Sequence, residues 1–413
     1  MEDQRILPNP PPRAGSVPDG PVLQAAAATP LLRLIARAAG LPAGPEEASW
    51  LPFDRFMALA LYAPGLGYYA GNRPKFGAMP PMPGAPQGSD FVTAPEMSPL
   101  FGDALAVQVA DALAASGTDE VWEFGAGSGA LAAQLIGSLR ARGAALRRYS
   151  IVELSASLRE RQRAALDAIV QAGQIEVRWL DALPDRIEGV VVGNEVLDAM
   201  PVKLLNRVQG TWHERGVAVS TEQADEAAAE PAIRLAWADR PTDLRPPLDP
   251  EGPHDYLTEI HPQAQAFVRT LADRLQRGVA LFIDYGFPES EYYHPQRSQG
   301  TLMCHHHHQA DDNPLLAVGD KDITAHVDFT GVALAAQDAG LDVFGYASQG
   351  RFLLNCGLGP LMEAVDLPGR AMAQRLVHEH EMGELFKVLA FGRGVSADWI
   401  PVGFAAGDRT HRL

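Results

Sequence analysis

Cysteine is nearly missing from this chain: among 413 residues only Cys304 and Cys356 carry a thiol. Two cysteines cannot build a disulfide framework, nor hold zinc without help from histidine. They fit a reducing compartment, and a cytoplasmic location is expected. Long hydrophobic runs are also lacking. The apolar stretch 190–192 is short, and nothing approaches the ~20 residues that span a bilayer as a helix, so no membrane insertion is expected. The opening Met1-Glu-Asp-Gln-Arg-Ile-Leu-Pro-Asn-Pro10 lacks the basic-then-apolar order of a secretory signal and the acid-poor composition of a transit peptide. Positive charge is scarce: 34 Lys and Arg face 51 Asp and Glu, a formal net charge of −17. Proteins that grip phosphate backbones show a basic face, and the densest basic stretch here, residues 140–148, reads as the solvated end of a helix. Nucleic acid is therefore not an expected partner. An acidic surface suits a cationic one, such as an arginine-bearing protein segment.

What is present centres on Val121-Trp-Glu-Phe-Gly-Ala-Gly-Ser-Gly-Ala-Leu131, which reads as a strand running into a tight turn and a helix. Gly125, Gly127 and Gly129 let the backbone bend sharply and approach a ligand without Cβ clashes. The helix that opens at Ala130 would turn its free N–H groups toward the same place. Glu123 falls near the carboxyl end of the strand, where open α/β sheets bind ligands. The order hydrophobic-x-acid-x-Gly-x-Gly-x-Gly is the first motif of class I S-adenosylmethionine (SAM) methyltransferases. Gly125, Gly127 and Ala130 also satisfy the dinucleotide fingerprint, and a plain connecting turn is the third reading.

Further acids follow at strand ends. Glu153 closes the second candidate strand, where a carboxylate can accept both ribose hydroxyls of a nucleoside cofactor; the alternative is a helix N-terminal acid beside a Ser155 cap. Asp181 follows the third candidate strand, at the place where an acid often meets the adenine amino group in class I methyltransferases; a turn or cap role is as natural. Asn194 and Glu195 follow the apolar strand 190–193.

The centre of the chain alternates strand and helix, which predicts a parallel sheet. Candidate strands are 121–124, 149–153, 175–179, 189–193 and 279–284, with helices at 130–142 and 158–172. Residues 341–347 and 351–354 look like a hairpin around Ser348-Gln-Gly350. The expected fold is therefore α/β: a class I methyltransferase (Rossmann-like), mostly parallel sheet ending in an antiparallel hairpin. Residues 1–21, rich in Pro and Gly, read as a flexible tail, and 22–115 as an N-terminal helical region. Residues 116–413 read as the catalytic domain, with insertions at about 205–255 and 292–329. The first insertion has candidate strands at 211–219 and 232–237. Residues 71–89, with five prolines, read as a loop.

The segment Asn194-Glu-Val-Leu-Asp-Ala-Met-Pro-Val202 resembles the hallmark of MidA-like proteins, the bacterial and mitochondrial complex I assembly arginine methyltransferases. Other blocks agree along most of the chain: Gly67-Tyr-Tyr69, Asp90-Phe-Val-Thr-Ala-Pro-Glu-Met-Ser-Pro-Leu-Phe-Gly102 and Ile151-Val-Glu-Leu-Ser155, then Phe282-Ile-Asp-Tyr-Gly286, Gly300-Thr-Leu302, Asp322-Ile-Thr-Ala-His-Val-Asp-Phe329 and Gly383-Glu-Leu-Phe-Lys387. The resemblance implies SAM as cofactor and, for the mitochondrial members, dimethylation of an arginine in a complex I subunit. The family's glycine motif more usually reads Gly-Pro-Gly-Arg-Gly-Thr-Leu; Ala126, Ser128 and Ala130 depart from it toward the general methyltransferase pattern.

Methyl transfer to guanidinium is an in-line displacement that depends on holding acceptor nitrogen and methyl carbon close and aligned. Carboxylates orient the cation bidentately and take up the lost proton. Glu195 and Asp198 are the candidates, with Glu96 a third and Asn194 shaping the floor near the cofactor. Asp284, Tyr285 and the His326/Asp328 pair are placed on the acceptor side, with capping and packing the alternative for the last two. The run Cys304-His-His-His-His308 has no ligand spacing that would make it a metal site, and methyl transfer needs none. A SAM-binding assembly factor and a small-molecule O- or N-methyltransferase are the other function classes. The N-terminal helices and the long insertion leave a homodimer open.

Overall fold

The structure is a computed structural model that describes residues 29–40, 49–71, 92–173, 175–222, 232–306, 309–396 and 398–413. The expected tail 1–21, most of the proline-rich loop, and His307 and His308 lie outside the described residues.

In chain order, α1 (Pro30–Ala38), β1 (Ser49–Pro52) and α2 (Phe53–Tyr62) come first, then the short α3 (Ala94–Met97) and the long α4 (Leu100–Ser116). The alternating part follows as β2 (Glu120–Phe124), α5 (Ala130–Ala141), β3 (Arg148–Val152), α6 (Ala156–Gln171), β4 (Glu176–Leu180) and β5 (Ile187–Asn194). Next come β6 (Lys203–Val208), β7 (Thr211–Glu222), β8 (Ala232–Pro241), β9 (Tyr256–Ile260), α7 (Pro262–Arg274) and β10 (Leu275–Phe287). Short strands β11 (Met303–His306), β12 (Gln309–Asp311), β13 (Asp322–Thr324) and β14 (Val327–Asp328) precede β15 (Asp342–Ser348) and β16 (Phe386–Arg393).

The main sheet runs β15-β16-β10-β5-β2-β3-β4. Five strands, β4, β3, β2, β5 and β10, pair in parallel, and β16 lies antiparallel between β10 and β15. Both faces are covered, which is why the middles of β5 and β10 are continuous apolar runs and do not alternate. Val190, Val192, Val279 and Leu281 point into one core with α4 and α5, whereas Val191, Ala280, Phe282 and Leu389 point into the other with α7 and the helix Phe329–Asp338.

The sheet's antiparallel end differs from the expected hairpin. Residues 351–354 belong to a helix, Gln349–Asn355, and the strand that pairs with β15 is β16, beyond a further helix at Leu367–Val377. Four apolar-rich residues carry too little periodicity to separate strand from helix. Here Phe352 and Leu353 are buried while Arg351 and Leu354 face out, and Gln349 fixes the helix by donating to the Leu376 carbonyl (2.9 Å). The fully apolar Val388–Phe391 core of β16 takes the central place.

A second, antiparallel sheet is built from β1, β7, β6 and β9, with β8 on β7. The N-terminal region is thus not purely helical: Ser49–Pro52 pairs with β7, and the Trp50 indole donates to the Ala238 carbonyl (2.9 Å). Leu32, Ile35, Phe53, Phe56 and Met57 of α1 and α2 pack on Leu204, Val217, Val219 and Leu235 of this sheet and on Cys304, Ile323 and Ala325 of the small β11–β13 sheet. The N-terminal helices α1 and α2 and both insertions therefore share one core and form a cap over the carboxyl ends of the parallel strands.

Candidate active site

At those carboxyl ends the structure holds a cavity of about 1100 Å³. Its floor is the glycine turn. Gly125, Gly127 and Gly129 have φ of 65°, 52° and 87°, a left-handed path open to glycine at little cost. A Cβ on Gly125 would stand 3.0 Å from Val196 Cγ2, so the turn and the segment 194–198 are in contact. Gly125 and Gly127 line the cavity; Gly129 instead caps α5, where a Cβ would meet the Gln162 backbone at 3.3 Å.

Glu153 stands beside the turn. Its carboxylate accepts from the Ser155 N–H (2.8 Å) and from Gln162 Nε2 (3.1 Å), while Gln162 also donates to the Gly127 carbonyl (3.1 Å) and accepts from the Trp179 indole (3.1 Å). Burial pushes the Glu153 pKa up, against those hydrogen bonds. Ser155 caps α6 through the Leu158 N–H (3.4 Å), so cap and cavity wall are one structure. Glu123 accepts from the Tyr149 hydroxyl (2.8 Å), and burial lifts its pKa to about 7. Asp181 is not brought to the cavity: its side chain is 79 % exposed and lies 3.9 Å from Arg159.

The segment after β5 carries the second group of acids. Glu195 has a φ of 52°, a strained left-handed conformation for a residue with a Cβ. Its N–H donates to the Ile283 carbonyl (2.9 Å), and its carboxyl accepts from Asn194 Nδ2 (3.1 Å) and from the Ala94 backbone N–H. Beneath, Asp284 accepts three successive backbone N–H groups, from Val196 (3.1 Å), Leu197 (2.9 Å) and Asp198 (3.2 Å), and with its other oxygen the Tyr285 N–H (3.0 Å). Asp284 is therefore an anchor under the site and does not line the cavity. Tyr285 does line it and donates its hydroxyl to Asp198.

Burial raises the Glu195 pKa to about 8, with Asp198 adding to the effect, and burial raises that of Asp198 to about 6. Asn194 Oδ1, Asp198 Oδ1 and Glu96 Oε2 are buried without a hydrogen-bond partner among the described residues. Buried polar atoms are rarely left so, and three of them around one cavity mark where a ligand's donors belong. Glu96 reaches this wall because Gln134 ties α3 to α5, donating to the Pro95 carbonyl (2.7 Å).

Sequence reasoning missed the opposite wall. Tyr62 and Tyr69 line the cavity there, together with Met303, His305, Asp322 and Thr324 from the second insertion; Leu154, next to Glu153, also lines it. His326 also lines it, stacked on Phe287 (5.3 Å between ring centres), whereas Asp328 caps the helix Phe329–Asp338 through the Gly331 N–H (3.1 Å). Cys304 is buried in the apolar core of the cap, which pushes its thiol up to about 12. Among the described residues no group of three or more His, Cys, Asp and Glu could hold a metal ion. Six acids line the cavity (Glu96, Glu123, Glu153, Glu195, Asp198 and Asp322) and no lysine or arginine among the described residues does. Such a site favours cations, and a sulfonium cofactor and a guanidinium are both cations.

A glycine turn beside a buried carboxylate, at the carboxyl ends of this strand order, defines a class I SAM-dependent methyltransferase. The chain belongs to the family described as "Putative S-adenosyl-L-methionine-dependent methyltransferase", which matches residues 104–347. A crystal structure of a Burkholderia thailandensis protein bound to S-adenosyl-homocysteine is 48 % identical, with a TM-score of 0.79 over 94 % of this chain and all of that one. Among curated relatives, "Protein arginine methyltransferase NDUFAF7, mitochondrial" of Danio rerio is 27 % identical over 79 % of this chain and 78 % of its own length. The Drosophila melanogaster homolog is 28 % identical over 84 % and 82 %. SAM is the cofactor, and no described helix is long and apolar enough to cross a membrane.

Proposed function

We propose that this enzyme methylates arginine in a protein substrate, by family resemblance a subunit of respiratory complex I. The observation that carries the reading is the cavity's charge: six acids and no lysine or arginine among its described lining residues, beside the cofactor turn. The relatives' names point the same way. When bound, SAM supplies an electrophilic methyl group on a sulfonium centre. The residues that would hold it are Gly125 and Gly127 at the turn, Glu153 toward ribose hydroxyls, Glu123 beneath, and Asn194 through its free Oδ1.

Glu195 and Asp198 grip the guanidinium as hydrogen-bond acceptors. A planar guanidinium matches paired carboxylate oxygens, which fixes the plane of the acceptor nitrogen. The nitrogen sheds one proton for each methyl group gained, and Asp198 Oδ1, free of protein donors among the described residues, is the group that takes it. Tyr285, donating to the other Asp198 oxygen, keeps that carboxylate turned toward the acceptor. Glu96 stands at the cofactor side of the same wall. We place the enzyme in the cytoplasm, where its free, buried cysteines stay reduced; the animal relatives are mitochondrial by name.

The test is incubation of the protein with SAM and arginine-containing peptides from complex I subunits, followed by mass spectrometry and amino-acid analysis. Methylarginine that disappears in Glu195→Ala, with SAM affinity retained, supports the reading. Unmodified peptides with intact SAM binding would favour an assembly factor. Methylation confined to small molecules would favour an O- or N-methyltransferase of another class.

A further inference from the structure

The cavity wall of Tyr62, Tyr69 and Asp322 is built from distant segments of the chain. Tyr62 ends α2 and Tyr69 follows it closely; their rings stack with centres 5.6 Å apart at 19°. The Tyr62 hydroxyl donates to the Ala199 carbonyl (2.8 Å), next to Asp198. The Tyr69 hydroxyl donates to Asp322 Oδ2 (2.9 Å), across the gap between the N-terminal region and the second insertion. Asp322 is 2 % exposed on β13, and the Ala325 N–H donates to the Asp198 carbonyl (2.9 Å), so β13 and the Asp198 segment are held together. Asp198, itself 5 % exposed, keeps its unpartnered Oδ1 in this cavity.

The cavity thus has a second end: two carboxylates, Asp198 and Asp322, with a pair of phenol rings between cap and sheet. We propose that Tyr62, Tyr69 and Asp322 form a guanidinium-binding chamber that selects arginine over lysine as the methyl acceptor; this rests on the arginine reading and assigns its specificity. A guanidinium is flat and weakly hydrated and stacks on aromatic faces, whereas an ammonium is a compact, strongly hydrated point charge. Stacked rings flanked by acids therefore reward the planar cation. Asp198 and Asp322 bracket it from two sides, and Tyr69 holds the Asp322 carboxylate in place. Burial, with the nearby Asp322 and Asp198 charges, pushes the Tyr62 and Tyr69 hydroxyls up, so both rings stay neutral donors.

The experiment uses the full chain saturated with S-adenosylhomocysteine and titrated calorimetrically with ethylguanidinium, with butylammonium and the neutral isostere ethylurea as comparisons. Saturable ethylguanidinium binding is expected, at least tenfold tighter than butylammonium and absent for ethylurea. Asp322→Asn and Tyr62→Leu should each weaken ethylguanidinium at least fivefold while S-adenosylhomocysteine affinity stays within about twofold. Tyr62→Leu covers the case in which Asp322→Asn does not fold, since Tyr62 is 38 % exposed. Equal binding of ethylurea, tighter binding of butylammonium, or unchanged binding in both variants would overturn the proposal. If ethylguanidinium binds as expected but no arginine peptide is methylated, the arginine reading fails and with it the chamber's role in choosing the acceptor, while its guanidinium binding stands. If arginine peptides are methylated by both variants with the wild-type KM, the chamber fails and the arginine reading stands.

Discussion

Asp284 accepts four backbone N–H groups, three of them from the segment that carries Asp198. Replacing it by asparagine keeps the volume but removes the charge and turns an amide NH2 toward donors that need an acceptor. Hydrogen bonds to a charged partner contribute about 1.5–3 kcal/mol and neutral ones about 0.5–1.5 kcal/mol. Weakening three or four of them costs several kcal/mol; relief of repulsion from Asp198 and Glu195, which together with burial raises the Asp284 pKa, returns part of that. A net loss of about 2–4 kcal/mol is expected in urea unfolding. Without the anchor the Val196–Asp198 backbone loosens behind Glu195, which its contacts with Ile283, Asn194 and Ala94 alone then hold at its φ of 52°, so the acids shift away from the acceptor. A displacement of ~1 Å in a positioning group costs roughly 10²-fold in turnover. S-adenosylhomocysteine affinity, set mainly by the glycine turn and Glu153, should change less than threefold. The reasoning is refuted if Asp284→Asn matches the wild type in both unfolding midpoint and turnover.

Two further outcomes follow from the same geometry. Gln162→Leu severs the links to Gly127, Glu153 and Trp179 and should weaken S-adenosylhomocysteine roughly tenfold by calorimetry, about 1.4 kcal/mol, while α6 stays folded by circular dichroism. For pH, the folded Glu195 and Asp198 carboxyls keep protons up to about 8 and about 6, above their ordinary 4.5 and 3.8. Between those limits the folded chain binds more protons than the unfolded one, so the stability of the cofactor-free protein should fall as pH rises from about 5 to about 8. Turnover should rise over the same window, because only ionised acids grip the acceptor; a stability that climbs with pH would contradict these assignments.

The sheet was legible because its central strands β5 and β10 carry buried apolar runs, 190–192 and 279–283, and because the candidate strands end at or near a glycine or an acid. Glu123, Glu153 and Asn194 were found from their place at those strand ends. Asp181 followed the same rule and yet is exposed, because it follows the solvent-facing edge strand β4, and edge position is not encoded in a five-residue strand pattern. The hairpin expectation failed where a four-residue apolar segment could serve either helix or strand. Tyr69 and Asp322 meet across 253 positions, brought together by the shared core of α1, α2 and the second insertion. Both residues sat in recognisable blocks, but only the packing shows that they face one cavity.

Calorimetric titration of the purified protein decides whether the cavity at Gly125, Gly127 and Glu153 holds SAM. SAM and S-adenosylhomocysteine should bind saturably at one site per chain, NAD(H) should not bind, and Glu153→Ala should weaken both adenosyl ligands at least tenfold. Folded protein that ignores them, or binds them equally well without the Glu153 carboxylate, would contradict the account.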